Sequence, residues 1–137
     1  MASIRREISI DASPEQVWGA ARDVGALHTR LVPGFVIDTK LEDGARMVTF
    51  GNGSVVRELI VEVDDDARRI AWAVVGTRMT HHNASLQVFA ENGRTRAVWI
   101  ADLLPHELAA HITGMIEQGL SAMKRTMEGS VESSVTA

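Results

Sequence analysis

The chain has 137 residues, 45% of them hydrophobic and 23% charged, with 14 Lys and Arg against 18 Asp and Glu for a formal charge of -4. That length suits one globular domain with a substantial core, and the dispersed, slightly acidic charge argues against a nucleic-acid partner. Cysteine is absent, which excludes disulfides, thiolate metal sites and thiol nucleophiles; no apolar run nears the ~20 residues that span a bilayer and no apolar leader stands at the N-terminus, so the cytoplasm is the expected address.

Ile4, Ile8 and Ile10 share one face of a first strand. Ser13 then offers a helix N-cap, Pro14 falls at the first helical position, and Gln16 is placed to close a capping box. Val17, Trp18 and Ala21 give this helix an apolar face. After Asp23-Val24-Gly25, residues Ala26 to Leu31 make a second short helical turn that Pro33-Gly34 ends. The period then becomes two. Strands are expected over Phe35 to Glu42, Arg46 to Phe50, Val55 to Val63, Ile70 to Val75, Met79 to Glu91 and Arg94 to Leu103, with Asp43-Gly44 and Asn92-Gly93 as hairpin signals. From Pro105 the spacing of Leu108, Ile112, Met115, Ile116, Leu120, Met123 and Met127 predicts one helix of roughly 36 Å that stops at Gly129.

These elements predict an α+β domain over residues 1–128: a curved seven-stranded antiparallel sheet wrapped around a long C-terminal helix, with two short helices after strand 1 and a flexible tail over 129–137. IDASPEQVW, the spacing of Arg46, Gly53, Glu58 and Asp64, the Val98-Trp99 pair and the terminal GLSAMKRTME together resemble the START-like (SRPBCC) superfamily of polyketide cyclases, lipid-transfer domains and birch-pollen-type allergens. The resemblance implies a helix-grip fold with a hydrophobic cavity between sheet and long helix, closed on one side with the help of Trp18. It leaves the function open, because enzymes, carriers and regulators share this scaffold.

Strand parity sorts the candidate residues. In Val55 to Val63 the phase of Val55, Leu59, Val61 and Val63 reads as the inner face, which brings Arg57 inside and turns Glu58 outward. Arg57 is then either an anchor for a carbonyl or acidic group or a strand-end side chain that snorkels to water or pairs with a carboxylate. His82 shares a phase with Ala84, Leu86 and Val88 and is a candidate proton donor or hydrogen-bond partner, or else a rim residue. Trp99 lies in phase with Ala97 and Ala101 and is expected to line the interior. Gly119 either widens the cavity or permits close packing, and Met47, Met79 and Met115 fit a soft lining or an ordinary core.

His106 and His111 superficially suggest a zinc-protease helix, but at five residues apart they lie roughly 140° around the axis, and no metal or other cofactor is expected. There is no tyrosine, and neither Lys40 nor Lys124 falls on an inner face, so phenolic acid catalysis and Schiff-base chemistry lack their residues. Three readings follow: a binding domain for a small hydrophobic molecule with one polar or acidic end, a cyclase- or dehydratase-type enzyme using Arg57 and His82, and a protein-interaction module of the chaperone-activator type. All leave a homodimer open.

Overall fold

The computed structural model describes the backbone of residues 2–136 and the side chains of residues 2–129, so the expected tail falls, Gly129 apart, outside the described side chains. Strand β1 (Ala2–Ile10) leads into helix α1 (Pro14–Ala21) through the anticipated capping box: Ser13 Oγ accepts from the Gln16 N–H at 3.2 Å, and Gln16 Oε1 accepts from the Ser13 N–H at 3.4 Å. A π-helical turn over Leu27–Leu31 follows.

The meander comprises β2 (Val36–Glu42), β3 (Ala45–Phe50), β4 (Val55–Asp64), β5 (Arg69–Val75), β6 (His81–Glu91) and β7 (Arg94–Leu104). Asn92 (φ 53°) and Gly93 (φ 80°) are both left-handed, as a two-residue hairpin matched to the strand twist requires. β7 returns beside β1, giving one antiparallel sheet in the order β1-β7-β6-β5-β4-β3-β2. After a short 3-10 turn at His106–Leu108 the chain enters α2 (Ala109–Thr136), which passes through Gly129 instead of ending there. Ile112, Ile116, Leu120, Met123 and Met127 are all buried. Burying each contributes on the order of 1.5–3 kcal/mol, so the helix is held by its apolar stripe more than by propensity.

Two features of the sheet position the site. First, the β3–β4 and β5–β6 turns and the β7–α2 connection lie together at one end, as antiparallel pairing demands, while the other turns and α1 lie at the opposite end. Second, the register shifts twice, between Val36 and Asp38 in β2 and between Ile60 and Glu62 in β4. Glu58 and Ile60 pair with Val74 and Trp72, but beyond the bulge at Val61 it is Val63 that pairs with Ile70. The inner face of β4 therefore changes parity along the strand.

Candidate ligand-binding cavity

Between the concave face of the sheet and α2 lies a cavity of about 230 Å³. Val48, Ile70, Trp72, Ala84 and Trp99 form its sheet wall, and Ile112, Met115 and Ile116 its helix wall. Trp72 and Trp99 meet edge to face, with ring centroids 5.7 Å apart and planes at 70°, the arrangement that aromatic quadrupoles favour. Phe35 and Phe50 make a similar pair at 5.4 Å and 76° where β2 begins beside the end of β3.

Polar groups occupy two separate places. Asn52, Ser54, Thr77, Arg78, His82 and His111 surround the end formed by the β3–β4 and β5–β6 turns and the start of α2. Further in, Arg46 and Glu58 face each other across β3 and β4, Nε to Oε1 at 2.8 Å, with side chains only 3% and 8% exposed. The Arg46 guanidinium carbon lies 5.4 Å from the Trp72 ring centroid, and Nη1 donates to the Val24 carbonyl at 3.4 Å. Burial pushes the Glu58 carboxyl above its ordinary value, and the charge and hydrogen bond of Arg46 offset that rise only in part.

Several expected site residues are brought together here. Trp99, Met79 and Met115 line the cavity, as does His82. The Nδ1 of His82 is buried without a hydrogen-bond partner among the described residues, and burial, then the neighbouring His81, push its pKa down, which holds the ring neutral. Gly119 resolves in favour of close packing. A Cβ there would lie 2.8 Å from Trp99 Cζ3 and 3.1 Å from Phe35 Cε2, so aromatic rings fill the space that the missing side chain leaves.

Three expectations require correction. Arg57 lies on the convex face, half-exposed and paired with Glu42 at 3.3 Å, because the bulge at Val61 reverses the parity read from the strand's far end. Met47 pairs directly with Arg57 across β3 and β4 and so shares that outer face. Trp18 is buried, but its Nε1 donates to Asp65 Oδ1 at 2.9 Å and it stays outside the cavity lining. It pins α1 to the β4–β5 turn, and Ala21 is the α1 residue that reaches the cavity. Arg57 and His82 consequently lie on opposite faces of the sheet and cannot converge on one substrate.

Sequence reasoning missed Arg46 as a site residue and turned Glu58 outward, although a signal exists. The two stand equally far from the Gly51-Asn52-Gly53 turn, so a hairpin centred on Asn52 pairs 46 with 58. Two opposite charges at mirror positions of a hairpin are cross-strand neighbours whichever face they occupy.

Among the described residues no group of three or more His, Asp or Glu is arranged to hold a metal ion, and no helix is long and apolar enough to cross a membrane. A seven-stranded sheet gripping a long helix around an apolar cavity defines the helix-grip class. The polyketide cyclase / dehydrase and lipid transport family matches residues 1–128, and the chain belongs to it. No curated protein matches the chain. Among solved structures, the XoxI protein of Bacillus cereus is 20% identical with a TM-score of 0.80, covering 93% of this chain and 96% of that one. The Aha1 dimer from Colwellia psychrerythraea is 18% identical at a TM-score of 0.74, with coverage of 93% and 97%. Norcoclaurine synthase from Thalictrum flavum, in complex with dopamine and hydroxybenzaldehyde, is 18% identical at 0.66, with coverage of 90% and 84%. At these identities the likeness establishes the fold alone.

Proposed function

We propose that the protein binds a small, largely apolar molecule, one or two rings or an acyl chain of similar bulk, in the cavity between sheet and α2. The observation that carries this reading is the cavity itself: about 230 Å³ of space walled by Trp72, Trp99 and aliphatic side chains. An apolar cavity of ~150 Å³ accepts benzene, so the larger space suits a bicyclic body. A mainly apolar wall with a few polar groups at its ends is the usual composition of a small-molecule site. The family description, which names both cyclase/dehydrase activity and lipid transport, has such binding as its common requirement. The enzymatic reading loses its main pair, since Arg57 is on the convex face. His82 remains as a neutral hydrogen-bonding group at the cavity's edge.

Titration with naphthalene, followed by tryptophan fluorescence, tests the reading. A saturable change with one molecule per chain is expected, reduced in Trp72→Phe and in Trp99→Phe and retained in Trp18→Phe. No saturable change, or a change carried by Trp18, would remove the cavity as the binding site.

A further inference from the structure

We propose that Arg46 and Glu58 form a recognition site for an uncharged ligand group that carries a hydrogen-bond donor beside an acceptor, such as a primary amide. The inference rests on the cavity being a ligand site, and it adds which functional group that site selects.

The pair is joined by a single hydrogen bond, Arg46 Nε to Glu58 Oε1 at 2.8 Å. Arg22 and Asp65 on the surface, by contrast, are bound by two, at 2.8 and 3.3 Å. Nη1 of Arg46 turns away to the Val24 carbonyl. Nη2 of Arg46 and Oε2 of Glu58 are thus left without a protein partner among the described residues. Neither is sealed off: the only sealed side-chain atom lacking a partner there is His82 Nδ1. Both residues line the cavity and are otherwise almost fully buried, so the space these two atoms reach is the cavity. A guanidinium N–H and a carboxylate oxygen side by side present a donor next to an acceptor. Their complement is an acceptor next to a donor.

Charge decides the rest. An uncompensated buried guanidinium is costlier than the ion pair, so the pair rests in its ionic form with no net charge. A ligand carboxylate would satisfy Nη2 but bring a second anion against Glu58 Oε2 in a low-dielectric wall, where like charges repel strongly. Arg78 supplies a cation at the cavity's outer end, but it is exposed, and water and salt screen such a charge. Trp72 under the guanidinium holds Arg46 in place and brings a ligand ring beside the donor–acceptor couple.

Calorimetric titration of naphthalene, 2-naphthamide and 2-naphthoate separates these terms, because the last two have nearly the same shape. The wild-type protein is expected to bind the amide at least about tenfold more tightly than the carboxylate, ~1.4 kcal/mol, within the range of a charge-assisted hydrogen bond. Glu58→Gln leaves Arg46 uncompensated and should reverse that order. In the Arg46→Met/Glu58→Leu double variant, which replaces the ion pair with apolar bulk and stands in should Glu58→Gln not fold, the amide should lose its advantage over naphthalene. Equal affinities for amide and carboxylate in the wild type, or an amide preference that survives in the double variant, would overturn the proposal while leaving the cavity reading intact. Failure of naphthalene itself to bind would overturn both.

Discussion

Arg57 and Glu58 are adjacent in sequence and point to opposite faces of one strand, and which of them faces inward sets the chemistry of the site. Arg57 meets Glu42 at 3.3 Å with both side chains about half in water, at 45% and 46% exposure. Arg57→Met should therefore lower stability by at most about 1 kcal/mol in urea unfolding and leave naphthalene affinity unchanged; a loss of affinity would place this side chain in the site after all. Glu58→Leu alone strands the buried Arg46 charge and should cost about 3–5 kcal/mol. A loss no larger than that of Arg57→Met would mean that Arg46 finds water. His82 provides a pH signature. Its folded-state pKa lies below the ordinary value of 6.5 through burial, so in acid the unfolded chain takes up the proton first and stability falls as pH drops below about 6.5. His82→Leu should flatten that part of the urea-midpoint profile between pH 7.5 and 5, and an unchanged slope would show that His82 is not its source.

At the scale of elements, most of the architecture was legible. The Ser13 cap, the Asn92-Gly93 turn and the apolar spacing of α2 are local signals, and each produced its element, although α2 starts at Ala109 and runs past Gly129. The parity of β4 was not legible. VVRELIVEV carries apolar residues in both phases, and the extra residue at Val61 leaves no mark in composition. Neither did the sequence reveal what faces Gly119, since that depends on Trp99 and Phe35 arriving from distant strands. Two glycines of one helix therefore make opposite predictions. Gly114→Ala meets nothing within 4 Å and should stabilise by up to about 1 kcal/mol through helix propensity. Gly119→Ala pushes against the Trp99 ring; overpacking of this kind costs about 1–3 kcal/mol, and the displaced ring should narrow the cavity and weaken naphthalene binding. Equal effects of the two in thermal unfolding would contradict the packing described for Trp99.

Across the whole molecule, a helix too long to cover itself and a sheet with one apolar face leave few ways to arrange seven strands, which is why the fold could be read from periodicity. What the cavity holds could not. Its walls come from six strands, β2 to β7, both helices and the π-helical turn, and their convergence is set by sheet curvature and by bulges, neither of which periodicity records. The central claim is that this interior, and no outer surface, receives the ligand. Isotope-filtered NMR with 2-naphthamide examines it directly. Nuclear Overhauser contacts are predicted from the ring protons to the methyl groups of Val48, Ala84, Ile112 and Ile116, all of which border the cavity. Contacts confined to Val61 and Ile100, which are 65% and 36% exposed away from the cavity, or no contacts at saturating ligand, would contradict the account.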